Sequence, residues 1–477
     1  MATMYSAAVE VISKETIKPT TPTPSQLKNF NLSLLDQCFP LYYYVPIILF
    51  YPDTVANSTG SSSHHDDLDL LKSSLSKTLV HLYPMAGRMI DNILVDCHDQ
   101  GIDFYKVKIR GKMCDFMSQP DVPLSQLLPS EVVSANVPKE ALVIVQVNMF
   151  DCGGTAICSS ISHKISDVAT MGTFIRSWAS TTKTSRSGDA TAAVITDQKL
   201  IPSFDSASLF PPSERLASPS GMAEIPFSSI PEDTEDDKTV SKRFVFDFAK
   251  ITSVSEKLQV LMHDNYKSRR PTRVEVVTSL IWKSVMKSTP AGFLPVVDHA
   301  VNLRKKMDPP LQDASFGNLS VTVSAFLPAT TTTTTNAVNK TINSTSSESQ
   351  VVLHELHDFI AQLRSEIDKV KGDKGSLEKV IQNFVSGYDA SIKKINDVED
   401  KVINFWISSW CRMGLYEIDF GWGKPIWVTI DPNIKPNKNC LFMNDTKCGQ
   451  GIEVWASFLE DDMAKFELHL SEILELI

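Results

Sequence analysis

The chain has 477 residues, 42% of them hydrophobic and 21% charged, enough to bury the cores of two large domains or about three of average size. Its net charge of −10 argues against nucleic acid or an anionic membrane surface as the main partner, so an anionic ligand needs a local basic pocket. Eight cysteines without a CxxC pair form no compact framework and read as reduced cytosolic thiols, mostly in cores.

The first 26 residues have no basic n-region followed by an apolar run of signal length. "LYYYVPIILFY" (Leu41–Tyr51) is apolar but too short to span a bilayer, and Pro46 interrupts it. These features predict a cytoplasmic protein. "ANSTGSSSHHDDLD" (Ala56–Asp69) is a polar loop; its "HHDD" (His64–Asp67) has metal-ligand residue types but sits in a Ser-rich stretch. The Asn-X-Ser/Thr triplets, such as those at Asn57 and Asn343, read as chance without a secretory signal.

"ALVIVQVNMF" (Ala141–Phe150) and "TAICSSIS" (Thr155–Ser162) read as two strands around the turn signal Gly153–Gly154. From Val168 the period becomes helical, with Val168, Met171, Phe174, Ile175 and Trp178 on one face. Either Ser166 or Asp167 can cap that helix. His163 thus falls where a strand ends and a helix begins, a place where a side chain can face a crevice.

Residues 181–240 carry six prolines between 202 and 231 and the acidic run "EDTEDD" (Glu232–Asp237), the composition of a long crossover linker. This predicts an N-terminal lobe over 1–180 and a C-terminal lobe over 241–477. "PATTTTTTNAVNKTINSTSSESQ" (Pro328–Gln350) is a low-complexity surface insertion. Val351–Val370 forms an amphipathic helix through Val352, Leu356, Phe359, Leu363, Ile367 and Val370. "GKPIWVTI" and "IEVWASF" read as strands, and "DDMAKFELHLSEILELI" as a closing helix. Mixed sheets with helices in two large lobes is the resulting α/β fold class, and a ligand site between lobes is the default expectation.

A single histidine is more often a hydrogen-bonded structural residue than a catalyst. At His163 the small residues Ser159, Ser160 and Ser162 leave room, and Asp167 follows one helical turn later. An imidazole titrates near working pH and suits the deprotonation of a hydroxyl. The spacing leaves Asp167 two roles, orienting the ring or pointing away to brace the fold. "HELH" (His354–His357) is one residue short of the zinc motif H-E-x-x-H, so no metal site is expected there. "DFGWGKP" (Asp419–Pro425) has no third glycine at dinucleotide spacing, and no G-x-S-x-G occurs. What is left is a histidine base without a protein nucleophile, which favours direct transfer between two substrates.

"HKISD" (His163–Asp167) with "DFGWG" (Asp419–Gly423) resembles the paired signature of the plant BAHD acyltransferases. The supporting pieces "LSLLD" (Leu32–Asp36), "YPMAGR" (Tyr83–Arg88), "VNLRKKMDPPL" (Val301–Leu311), "FGN" (Phe316–Asn318) and "SSWCRMGLYEIDFGWGKP" (Ser408–Pro425) stand in family order, so the resemblance runs over essentially the whole chain. Within the family it is similar to the alkaloid-acylating branch. Val168 stands where most members have glycine after the aspartate, a departure that branch shares, and Ser315 stands where an aromatic is common.

The resemblance implies a chloramphenicol-acetyltransferase-like fold of two similar-sized lobes of mixed β-sheet with flanking helices, and an active site in a channel between them. It implies a monomer with acetyl-CoA as co-substrate and no tightly bound cofactor, acylating an alkaloid alcohol of morphinan type. His163 would be the general base, and Asp167 would turn from the substrate to pair with Arg304. Asp419, Gly421, Trp422 and Gly423 would be structural. Ser408, Ser409 and Trp422 are the candidates for stabilising the oxyanion. Lys250 with Arg273 or Thr278 are the candidates for contacting CoA, since its phosphates call for cationic and hydrogen-bonding groups. The competing readings are a different alkaloid acceptor, an acyl-CoA hydrolase, and a non-catalytic relative that binds a small molecule.

Overall fold

Long β-branched and aromatic runs build two mixed sheets of six strands each. In the computed structural model, the described residues are 8–40, 43–53, 64–118, 122–133, 141–187, 197–217, 238–262, 269–327, 347–370, 378–379, 381–382, 401–432 and 438–477. Most of the Thr-rich insertion and the acidic run of the expected linker lie outside them, as do the side chains of His64, His65 and Asp66.

The chain divides into two compact units. The first comprises residues 1–229, 308–319 and 412–435, the second residues 230–307, 320–411 and 436–477. In the first unit the sheet order is β1 (Val9–Ile17), β6 (Ile102–Ile109), β7 (Val143–Phe150), β8 (Thr155–Ser162), β3 (Tyr44–Tyr51) and β13 (Trp427–Thr429). Only β6 and β7 pair in parallel. From Tyr44 to Tyr51 the apolar run broken by Pro46 is therefore a buried inner strand, β3. A three-stranded sheet of β2 (Asn29–Asn31), β5 (Leu94–Asp96) and β4 (Arg88–Met89) completes the strands of this unit. Its helices include α1 (Leu34–Gln37), α2 (His64–His81) and α3 (Val168–Arg186).

The second unit's sheet runs β11 (Ser320–Ala325), β10 (Phe293–Asn302), β12 (Lys401–Ser409), β14 (Cys440–Asp445), β15 (Ile452–Leu459) and β9 (Thr239–Phe246). The helices α4 (Phe248–Met262), α5 (Arg273–Ser288), α6 (Glu348–Lys369) and α7 (Glu460–Leu476) belong to the same unit. On α6 the predicted stripe is buried at Val352, Leu356, Phe359 and Leu363, and Phe359 stacks on Trp282 of α5 with centroids 4.6 Å apart. Glu275 caps α5 from within its first turn, and Arg269 and Arg364 each approach its carboxylate at 2.9 Å.

Two expectations change. A division at 181–240 puts the "DFGWG" segment in the C-terminal lobe, but β13 pairs with β3, so residues 412–435 belong to the first unit. The physical reason is that β8 pairs with only one edge of β3, and Trp427–Thr429 supplies the ladder partner on the other. The cysteines are also less interior than expected: Cys38, Cys97, Cys158 and Cys440 are buried, but Cys114, Cys152 and Cys448 are exposed. No helix among the described residues is long and apolar enough to cross a membrane.

Candidate active site

β8 delivers its last residue, Ser162, buried beside β3, and His163 follows immediately with its N–H donating to the Tyr43 carbonyl at 2.8 Å. The half-buried imidazole lies flat on Phe39, with centroids 4.1 Å apart and planes at 11°. Burial lowers its pKa below the ordinary histidine value, against opposing pulls from the local backbone, the charge of Asp167 and the Asn318 side chain.

Asn318 decides which imidazole nitrogen carries the proton. Its Nδ2 donates to the His163 carbonyl at 2.7 Å and to Asp36 Oδ1 at 2.9 Å, which uses both of its N–H groups. Its Oδ1 is then left as an acceptor, 3.0 Å from His163 Nδ1. The opposite amide orientation would set its oxygen against a carboxylate and a carbonyl. Nδ1 must therefore donate, and Nε2 keeps its lone pair.

Asp36 anchors this arrangement. Its Oδ1 accepts from the Asn318 backbone N–H at 2.7 Å as well as from Nδ2. Its Oδ2 accepts from the Ser33 N–H and hydroxyl at 2.8 and 2.6 Å, closing the capping box of α1. Four donors on one fully buried carboxyl favour its anion. Burial nonetheless pushes its pKa up more strongly than these hydrogen bonds pull it down.

The structure settles the capping alternative. Asp167 caps α3, accepting from the Thr170 N–H at 2.9 Å, whereas Ser166 donates its hydroxyl to the Ser162 carbonyl. The other Asp167 oxygen accepts from the Leu319 N–H at 3.0 Å. The Thr170 hydroxyl donates to the Gly317 carbonyl at 3.0 Å. Together they tie the "FGN" loop to the start of α3, which holds Asn318 beside His163. Gly317 has φ 118°, a conformation that favours glycine, and an added Cβ would come within 3.0 Å of Ser206 Oγ.

The Asp419 loop sits at the other end of the same helix. Asp419 Oδ1 accepts from the Gly421 and Gly423 N–H groups, each at 2.8 Å, and its Oδ2 pairs with Lys183 at 2.7 Å. Burial opposes ionisation here, but Lys183 and the two glycine N–H groups outweigh it and hold the carboxyl below its ordinary value. Phe420 is buried edge-on to Trp178, and Trp422 stacks on Phe420 with centroids 5.5 Å apart. Lys183 stands sixteen positions after the cap, roughly 24 Å at 1.5 Å per residue. These bonds hold the loop against the C-terminal part of α3, with Trp422 beneath the Arg186 guanidinium.

The remaining candidates belong to the second unit. Ser408 and Ser409 end β12, and Ser408 Oγ accepts from the Trp410 indole at 3.1 Å. Lys250 donates to the Leu474 carbonyl. Arg273 holds the Gly451 carbonyl and Asp445, each at 2.9 Å. Thr278 is fully buried in α5. Arg304 is buried, with its guanidinium donating to Asn302 at 3.2 Å. The roles of Asp36, Asn318 and Phe39 were missed from the residues alone, although "LSLLD" and "FGN" contain the first two.

The model described as the Transferase family matches residues 7–473. The chain is 94% identical over 477 residues, all of both sequences, to salutaridinol 7-O-acetyltransferase of Papaver somniferum. It is 66% identical over 478 aligned positions, again all of both, to (13S,14R)-1,13-dihydroxy-N-methylcanadine 13-O-acetyltransferase of the same plant. The crystal structure of vinorine synthase, 30% identical, matches its fold with a TM-score of 0.74 over 98% of each chain.

Proposed function

The chain belongs to the BAHD acyltransferases of the Transferase family, and from that premise we propose that it transfers acetyl from acetyl-CoA to the C7 hydroxyl of salutaridinol in morphinan alkaloid biosynthesis. The acceptor reading is supported by the 94% identity over the full chain. The chemistry rests on one observation: Asn318 accepts from His163 Nδ1, which leaves Nε2 as the basic nitrogen.

In this reading Nε2 takes the proton of the C7 hydroxyl as its oxygen attacks the thioester carbonyl. The tetrahedral intermediate collapses, the C–S bond breaks, and the imidazolium returns the proton to the departing thiolate. Asp167 braces the loop and pairs with Arg304. CoA and alkaloid alcohol are the partners of a cytosolic monomer that uses no tightly bound cofactor.

A second acceptor is favoured by one observation. The relative at 66% identity is named for a different alkaloid alcohol, which supports an acceptor other than salutaridinol as the second reading. The test is CoA release from acetyl-CoA with and without salutaridinol, in wild type and His163→Ala, with the alkaloid mass followed in parallel. Acceptor-dependent release with an acetylated alkaloid, lost in the variant, supports the reading. Release that ignores the acceptor marks a hydrolase, and transfer that survives His163→Ala overturns the mechanism.

A further inference from the structure

Next to the base in sequence is a lysine that the proposed chemistry does not use. Lys164 has no solvent exposure, although lysine is almost never fully buried without a partner. Its ammonium donates to the Phe39 carbonyl at 2.6 Å and the Gln37 carbonyl at 3.0 Å. Those carbonyls lie at and just beyond the C-terminal end of α1, where a cation is favoured. Phe39 is the ring on which His163 stacks, and α1 carries Asp36, which aligns Asn318.

We propose that Lys164 is a positioning residue for His163: its ammonium holds the Phe39 platform and supplies the buried positive charge that keeps Asp36 ionised. This deepens the general-base reading of His163 and rests on it. An isolated buried carboxylate reverts to the neutral acid unless a charge compensates it. A neutral Asp36 would carry a proton where Ser33 or Asn318 now donates, and the amide that orients the imidazole would lose its anchor. Cys38, just beyond the end of α1, is the titratable group that faces both members of this pair. Lys164 sits on the carbonyl of Gln37, the residue after Asp36; burial lowers its pKa to about 8, and the charge of Asp36 opposes that fall.

The test is a cycle of Lys164→Met, Asp36→Asn and the double variant. Three readouts are followed: kcat/KM against pH, denaturant stability, and the His163 tautomer by ¹⁵N NMR of histidine-labelled protein, with His163→Gln assigning the signal. Lys164→Met should lower kcat/KM at pH 7 by about 100-fold, the order of loss that a small misplacement of a reacting group causes. Its acidic limb should move to higher pH as Asp36 takes up a proton, and its His163 signal should lose the pure Nδ1–H pattern. The double variant, with neither charge, should recover much of the stability and return the limb toward its wild-type position. If Lys164→Met fails to fold while the double variant folds, the pairing stands. Additive losses, an unmoved pH limb, or an unchanged tautomer in Lys164→Met would overturn it. The stability and NMR arms do not depend on turnover, so they decide the role of Lys164 even if His163→Ala retains transfer.

Discussion

The side-chain amide of Asn318 holds His163 from two sides, donating to its carbonyl at 2.7 Å and facing its Nδ1 with an oxygen at 3.0 Å. One residue thereby fixes both the position of the backbone and the tautomer of the ring. Asn318→Ala should keep the fold but free the proton to move to Nε2. We expect kcat to fall by about 100-fold or more, since a base in the wrong tautomer is ineffective, with KM nearly unchanged. Steady-state kinetics of the variant check this; a loss confined to KM would contradict it.

The pH dependence has a definite sign. Burial lowers the His163 pKa below 6.5, so the free base persists to lower pH than for an exposed histidine. The acidic limb of kcat/KM should therefore fall below pH 6.5, provided the assay measures the free enzyme. Between the folded pKa and 6.5 the unfolded chain binds a proton that the folded one does not. This group's contribution to stability therefore decreases as pH falls through that window. A pH–rate profile beside a pH–stability profile tests both statements.

Asp167→Ala removes an N-cap and the acceptor for Leu319 together. The cap alone contributes about 1 kcal/mol, and the stranded Leu319 N–H adds to the loss. Asp167→Asn retains one carbonyl oxygen for the cap and should lose clearly less. If Asp167 braces the loop, kcat should follow stability across the two variants; an Asn variant as inactive as the Ala variant, yet stable, would point to a charge-based role.

Gly421→Ala tests the distant clasp. Gly421 has φ 105°, and a Cβ there would meet Arg186 Cδ at 3.1 Å and the Lys183 Cα at 3.4 Å. A non-glycine residue in such a conformation costs about 1–3 kcal/mol. Denaturant unfolding should show that loss, while the KM values and the pH profile of the folded protein stay those of wild type. A moved pH profile would tie the loop to the chemistry directly.

Much of this was legible before any coordinates. β8 spans Thr155–Ser162, as the β-branched composition and the Gly153–Gly154 turn predict, and α3 starts at Val168, where the period changes. Local rules succeed there because each signal lies within a few residues of the element it specifies. The Asp36–Asn318–His163 network joins residues separated by 282 and 155 positions, and no period or spacing encodes that meeting. The same blindness placed the Asp419 segment in the wrong unit, because a three-residue strand carries little pattern and its partner lies far upstream. Lys250 and Arg273 are candidates through the resemblance and their charge, and each has an internal partner that no local pattern encodes.

The first unit is assembled from three separate stretches of chain, and the middle one, residues 308–319, brings Asn318. A ribosome that has finished β8 and α3 has made the histidine but not the group that sets its proton. The site is completed only when about two thirds of the 477 residues have been synthesised. Fragments ending before residue 318 would then hold His163 without the amide that fixes its tautomer, which arrives only when the chain returns to the unit it began.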